Sequence, residues 1–188
     1  MIKLADVTPN HDKFPFVYAD TETTGVDKYS EIIEISCTEY NLRGEVGATI
    51  SYMCEPVSGH IPDGASKVNG IYMKDVIGKP SYILGGVRMD VAEFIGDRQL
   101  VAHNAQFDVR MMRIKFREGQ VECTLKKAKK KWPDGKHNLR ACINKIPGET
   151  WDNALAHRAS YDVEKGIVLH VYLDGEKNMS DSEKLSFL

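Results

Sequence analysis

Two carboxylates separated by one residue end an apolar segment near the N-terminus. Asp20 and Glu22 follow residues 14–19, whose apolar and aromatic side chains predict a buried strand. Side chains at positions i and i+2 of a strand lie on one face, so the two carboxylates would repel each other unless protons or a cation neutralised them. Oxygen ligands of this kind suit Mg²⁺ or Mn²⁺. A surface Asp-x-Glu pair beside the turn residues Thr24 and Gly25 is the alternative interpretation.

Two further acids lie at predicted helix starts. Asp108 follows an apolar strand and lies in the first turn of a helix predicted over residues 107–116, where the helix dipole favours an acid. Asp162 lies in the first turns of an apolar helix predicted over residues 161–173, and His157 comes shortly before it. Five helical residues turn through about 500°, so we expect His157 on the approach to the helix rather than on a face shared with Asp162. Each acid could alternatively be only a helix-start residue.

The four acids and the histidine together suit the hydrolysis of a phosphodiester. Two metal ions about 3.5–4 Å apart can hold both the attacking and the leaving oxygen. A histidine titrates near neutral pH, as a general base must. The predicted metal ligands are Asp20, Glu22, Asp108 and Asp162, and the predicted catalytic residues are these four with His157.

Three segments, in this order along the chain, resemble the three exonuclease motifs of the DEDDh branch of the DnaQ-like superfamily. They are YADTETTG at residues 18–25, VAHNAQFD at residues 101–108 and HRASYD at residues 157–162. HRASYD and the segment CTLKKAKKKWP, which begins at Cys123, are most similar to the exodeoxyribonuclease X branch; many other relatives have Asp in place of this cysteine. The tyrosine branch of the superfamily has Tyr where Arg158 stands, so the histidine branch fits better. The resemblance covers residues 16–173.

This resemblance implies a ribonuclease H-like fold with the first motif on its central first strand. It implies that the four acids ligate two Mg²⁺ or Mn²⁺ ions and that His157 deprotonates the attacking water. The implied reaction is 3′→5′ release of 5′-mononucleotides, mainly from single-stranded DNA. An RNA 3′ exonuclease and a catalytically inactive nucleic-acid-binding or polymerase-associated module are the alternative functions.

The resemblance also assigns substrate contacts. Thr23 and the backbone near Thr24 are implied to touch the terminal nucleotide, while Asn104 and Phe107 are implied to support the site. Asn104 could alternatively be a capping residue. Asn69 stands where the family often has His, which leaves its contact with the terminal nucleotide open. The substrate-binding residues predicted from the motifs are Thr23, Thr24, Gly25, Asn69, Ile71, Asn104 and Phe107.

Basic residues are concentrated in one part of a nearly neutral chain. The formal net charge is −2, but ten of the 25 Lys and Arg residues lie between positions 113 and 140. Such a patch could bind a phosphate backbone, and it could equally be a solvated helix face. The predicted substrate contacts in this segment are Lys126, Lys127 and Lys130.

The elements that must position these residues indicate an α/β fold with a mixed central five-stranded sheet flanked by helices. We expect an exonuclease domain over residues 15–173, an N-terminal extension over residues 1–14 and a C-terminal tail over residues 174–188. Strands are predicted at residues 14–19, 31–40, 48–54, 100–103 and 121–123. Helices are predicted at residues 63–69, 83–95, 107–116, 125–131, 139–145 behind the candidate cap Asn138, and 161–173.

Composition restricts the class of protein. The chain has 188 residues, of which 42% are hydrophobic and 28% charged, as in a globular domain. No apolar run is long enough to span a bilayer and no secretory signal is visible, so we expect no membrane partner. The four cysteines are widely spaced and form no CxxC pair, which favours reduced thiols and a cytoplasmic location.

The C-terminal residues carry a short apolar pattern. Leu185, Phe187 and Leu188 resemble the peptides with which replication proteins dock on sliding clamps, so a clamp or a polymerase is a candidate partner. The alternative is that these side chains fold back onto the domain.

Overall fold

The computed structural model describes residues 1–174, which contain one mixed sheet covered by helices on both faces. The sheet order is β3-β2-β1-β4-β5, in which β2 is antiparallel to β1 and β3, while β4 is parallel to β1 and β5. The predicted α/β fold with a mixed five-stranded sheet is confirmed. The strands are β1 (Phe16–Thr23), β2 (Ile32–Tyr40), β3 (Val46–Met53), β4 (Gln99–Ala102) and β5 (Val121–Cys123).

The helices differ from their predicted bounds where the backbone turns left-handed. The helix predicted at residues 83–95 begins only after Gly86, whose φ is 82°, and the helix predicted at residues 107–116 ends at Arg113, whose φ is 53°. The predicted cap Asn138 is confirmed, since its side chain accepts a 2.9 Å hydrogen bond from the Ala141 amide. The helices are α1 (Asp63–Asn69), α2 (Met73–Val76), α3 (Val87–Ile95), α4 (Ala105–Met112), α5 (Thr124–Lys131), α6 (Leu139–Ile143) and α7 (Ala159–Asp174), with a short 3₁₀ helix at Leu4–Asp6.

The central strand β1 is buried on both faces of the sheet. Its alternate side chains point in opposite directions. Val17 and Ala19 join a core cluster with residues of α3 and α4, whereas Tyr18 packs in a second cluster with Val163 and Ile167 of α7. The C-terminal end of β1 therefore lies between two helical layers.

Helix α7 approaches β1 closely at Gly166. A Cβ atom at this position would lie 2.1 Å from Cζ of Tyr18, so only glycine allows the contact. Asp162 lies one helical turn before Gly166 and on the same helix face. The close packing therefore brings Asp162 towards the acids of β1.

The residues that precede β1 pack against the sheet. Ile2 forms an antiparallel bridge with Ser51 of β3, and the Leu4 amide donates a 2.9 Å hydrogen bond to the Tyr52 hydroxyl. Phe14 is buried. The predicted N-terminal extension thus contributes to the outer edge of the sheet.

Within residues 1–174, no helix is both long and apolar enough to cross a membrane. The cytoplasmic location stays a prediction. The clamp-docking pattern at Leu185, Phe187 and Leu188 lies outside the described residues and also stays a prediction.

Candidate active site

The first two acids lie at the C-terminal end of β1. Asp20 and Glu22 are half-buried and occupy one face of the strand. Thr21 between them points to the other face, where its hydroxyl donates a 2.8 Å hydrogen bond to Oδ1 of Asp108. This bond joins the first motif to the second, since Asp108 belongs to α4.

The connection between β4 and α4 directs Asp108 towards the end of β1. Asn104 adopts a left-handed φ of 67° and occupies the N-cap position of α4 through its backbone, without a capping bond from its side chain. Asp108 lies in the first turn of α4 and is only 2% exposed. The adjacent Phe107 is partly buried against the core, whereas Asn104 is exposed. The supporting roles of Phe107 and Asn104 stay predictions.

The third motif brings a histidine and an acid to the same place. His157 lies on the approach to α7, as predicted, and is exposed with a left-handed φ of 60°. Asp162 lies in the first turn of α7 and is 8% exposed. One possible ligand atom from each of Glu22, His157 and Asp162 lies within 4.8 Å of the other two. The structure therefore brings these three predicted site residues close together.

Burial, and for three of the four acids also the charge of neighbouring acids, disfavours their ionised forms. Burial, and after it the charge of Asp162, raises the pKa of Glu22 to about 8. Burial raises the pKa of Asp108 to about 7 and that of Asp162 to about 7. The pKa of Asp20 lies well above its ordinary value because of burial first and the Asp108 charge second. A cation among these side chains would favour the ionised carboxylates that the protein alone does not.

The donor set fits divalent metal ions. Oδ1 of Asp162 is buried and has no hydrogen-bond partner among residues 1–174, as expected of an oxygen atom that binds a cation. Carboxylate oxygens are the ligands that Mg²⁺ and Mn²⁺ prefer. A second cluster of Glu122, His170 and Asp174 differs, because the Lys127 ammonium group forms ion pairs with both of its acids. The chain itself supplies the positive charge there.

The loop that follows β1 is held by hydrogen bonds within the chain. The Thr23 hydroxyl donates a 2.5 Å hydrogen bond to the Gly25 carbonyl. Asn69 is buried behind this loop, where its amide nitrogen donates to the Thr23 carbonyl at 3.3 Å and its amide oxygen accepts from the Ile71 backbone at 3.0 Å. Asn69 therefore supports the loop with both ends of its side chain. The nucleotide contacts of Thr23, Thr24, Gly25, Asn69 and Ile71 stay predictions.

The lysines of α5 fall into two groups. Lys126 and Lys130 are exposed. Lys127 instead forms ion pairs with Glu122 of β5 and Asp174 of α7, and so ties these two elements together. The ammonium group of Lys127 is therefore already engaged within the protein. Of the three predicted substrate contacts, the exposed Lys126 and Lys130 are better placed to reach a phosphate group.

Sequence reasoning missed one buried acid beside the cluster. Glu34 of β2 is 3% exposed and accepts hydrogen bonds from the Arg158 side chain at 2.9 Å and from the Ala159 backbone at 3.0 Å. The available signal was a charged residue between two isoleucines, Ile33 and Ile35, in a predicted strand, since charged groups are rarely buried without a partner.

A mixed sheet whose central strand ends in two acids, with further acids at two helix starts, defines a ribonuclease H-like nuclease fold. The model of the exonuclease family RNase_T matches residues 17–169, and the chain belongs to that family. The predicted DnaQ-like membership is thereby confirmed.

Curated relatives and solved structures agree with this assignment. The DNA polymerase III subunit epsilon of Haemophilus influenzae is 29% identical over 197 residues, which cover 95% of this chain and 73% of that protein. The corresponding subunit of Rickettsia conorii is 30% identical over 171 residues, covering 84% and 72%. The solved structure of Exonuclease X in complex with 5′ overhanging duplex DNA has a TM-score of 0.68 at 24% identity, covering 89% of this chain and 95% of that chain. E. coli Exonuclease I in complex with a dA16 oligonucleotide has a TM-score of 0.70 at 17% identity, covering 87% and 41%, so both structures share the fold.

Proposed function

We propose that this protein is a DEDDh-type 3′→5′ exodeoxyribonuclease that hydrolyses the last phosphodiester of a single-stranded DNA end and releases a 5′-mononucleotide. The observation that carries the proposal is the convergence of Glu22, His157 and Asp162 within 4.8 Å at the end of the strand that also carries Asp20. That the chain belongs to an exonuclease family follows from the match to the family model. The proposal adds the 3′→5′ direction of digestion, the choice of DNA over RNA and the metal ions.

Asp20, Glu22, Asp108 and Asp162 would hold two Mg²⁺ or Mn²⁺ ions. When bound, such ions neutralise the acids and stabilise charge on the attacking and leaving oxygens of the phosphodiester. The Thr21 hydroxyl orients the Asp108 carboxylate through its 2.8 Å hydrogen bond. The rigid strand and the two helix starts fix the spacing of the four acids before substrate arrives, so little reorganisation is needed.

His157 is the proposed general base. Its exposed side chain can reach a water molecule beside Glu22 and Asp162. The imidazole takes a proton from this water as the water oxygen forms a bond to phosphorus. The bond from phosphorus to the 3′ oxygen of the preceding nucleotide then breaks, and that oxygen takes a proton from solvent.

DNA is the proposed substrate because of the relatives. The curated relatives are named as subunits of DNA polymerase III, and both solved structures contain DNA. The same names support association of this protein with a DNA polymerase. Lys126 and Lys130, which are exposed on α5, would contact the phosphate backbone of the strand that leads away from the site.

A digestion panel tests this function. Single-stranded and duplex DNA and single-stranded RNA, each labelled at the 5′ end, are incubated with the full chain in Mg²⁺, in Mn²⁺ and in EDTA. The proposal predicts a ladder of labelled DNA products that shorten with time, only when metal is present, and fastest for single strands. Ladders from RNA alone would support the exoribonuclease alternative, and a labelled mononucleotide as the first product would reverse the polarity.

A further inference from the structure

Glu34 lies opposite Glu22 in the sheet. The two residues are Cα partners in the antiparallel pairing of β1 with β2. Directly opposite residues of such a pair point to the same face, so both glutamates face the layer of α7. Two adjacent acids on one face repel each other, and such a pair requires a cationic partner for one of them.

The cationic partner comes from the segment of the third motif. The Arg158 guanidinium donates from Nη2 to Oε1 of Glu34 at 2.9 Å and from Nε to both carboxylate oxygens at 3.3 Å. The Ala159 amide donates to Oε2 of Glu34 at 3.0 Å. Both oxygens of this glutamate are thus engaged by the two residues that follow His157, and Glu34 is not needed among the metal ligands.

These contacts act on a strained turn. His157 has a φ of 60°, a left-handed conformation that is unfavourable for a residue with a side chain. The carbonyl of Arg158 accepts the 3.0 Å hydrogen bond from the Asp162 amide that starts α7. This backbone bond does not involve Glu34, so the buried carboxylate on β2 acts on the two residues that follow the histidine, while the helix start that carries Asp162 keeps its own hydrogen bond.

We propose that Glu34 is a positioning residue, which holds His157 in its working place by binding Arg158 and the Ala159 amide. This inference rests on the proposed function, since it takes His157 as the general base. Arg158 is half-exposed, and its main contact is with Glu34 rather than with the core. The pair therefore serves to hold the turn that carries the histidine.

A double-mutant cycle with a matched control tests the inference. The variants are Glu34→Gln, Arg158→Ala and His157→Ala, with each of the first two also combined with the third. Glu39→Gln is the control, because Glu39 is also buried on β2 and also forms an ion pair with an arginine, Arg98. The assays are kcat and KM on a short single-stranded DNA, the apparent Mn²⁺ affinity and thermal melting.

We expect Glu34→Gln and Arg158→Ala each to lower kcat roughly 10- to 100-fold, the effect of a misplaced catalytic group. KM and Mn²⁺ affinity should hold. In the His157→Ala background either change should lower kcat less than about twofold, since the histidine is already gone. Glu39→Gln should lower the melting temperature and keep kcat.

Equal losses of kcat in the two backgrounds would overturn the inference, as would an equal loss of kcat in Glu39→Gln. Wild-type turnover in His157→Ala would contradict the proposed general base itself and the inference with it. If His157→Ala lowers kcat, and Glu34→Gln or Arg158→Ala lowers kcat further by its full single-variant factor, only the role of Glu34 is contradicted. If Glu34→Gln fails to fold, the cycle of Arg158→Ala with His157→Ala carries the test, because the Arg158 side chain lies at the surface.

Discussion

Removing the charge of Asp108 should stabilise the protein in the absence of metal. Asp108 is 2% exposed, and burial raises its pKa to about 7. Between its ordinary pKa of 3.8 and this value, the folded protein keeps a proton that the unfolded chain has released. The free energy of unfolding therefore falls as the pH rises from about 4 to about 7, and the penalty is complete above that range.

The magnitude follows from the same values. The gap between 3.8 and about 7 corresponds to roughly 4 kcal/mol. Asp108→Asn removes the ionisation while its amide oxygen can still accept the hydrogen bond from Thr21. In EDTA at pH 8 we therefore expect the variant to gain about 2–4 kcal/mol in free energy of unfolding, and at pH 5 less than about half of that gain.

Urea denaturation of the wild type and of Asp108→Asn at both pH values measures this gain. Asp12→Asn, at an exposed position, is the charge-matched control and should show no gain. Added Mn²⁺ should raise the stability of the wild type more than that of Asp108→Asn, because a bound ion stabilises only the protein that holds it well. Equal or lower stability of Asp108→Asn at pH 8 in EDTA, or a gain that does not change with pH, would refute the reasoning.

Three further predictions concern catalysis, substrate binding and the C-terminus. His157→Ala should lower kcat by roughly 10²–10⁴-fold with metal affinity unchanged in calorimetry, and its pH–rate profile should lack an ionisation that the wild type shows; a loss of metal affinity would make His157 a ligand instead. Lys126→Ala combined with Lys130→Ala should raise KM and reduce the salt dependence of KM, because fewer phosphate contacts form; an unchanged salt dependence would show that the two exposed lysines only form a solvated helix face. Lys127→Ala should instead lower the melting temperature, because its ion pairs are lost. Deleting residues 185–188 should abolish pull-down of a sliding clamp while activity on short DNA and the melting temperature hold, if the clamp-docking prediction is right; a lower melting temperature would support folding back onto the domain.

The positions of the acids could be predicted because local chemistry determines them. Asp20 follows the apolar run of β1, and Asp108 and Asp162 lie in the first turns of helices, where the dipole favours them. The length of β1 could not be predicted in the same way. It continues to Thr23 because backbone pairing with β2 does not require apolar side chains.

The contacts between distant segments lay beyond sequence reasoning. Nothing local indicates that Lys127 pairs with Glu122 and Asp174, since the three lie on different elements. Asn69 is similar, because its supporting role depends on a hydrogen bond to a strand 46 residues away. Glu34 stands out between Ile33 and Ile35, but only the fold shows that its partner Arg158 adjoins His157.

The proposed function requires the acids at the end of β1 to drive metal-dependent hydrolysis from the 3′ end. The most direct measurement is the release of labelled mononucleotide from single-stranded DNA that carries its label on the last internucleotide phosphate, comparing the wild type with Asp20→Ala in Mg²⁺ and in EDTA. The predicted result is release of the labelled 5′-mononucleotide as the first product by the wild type in Mg²⁺ alone, with no release by a folded Asp20→Ala. Release in EDTA, or near-wild-type turnover by Asp20→Ala, would contradict the claim.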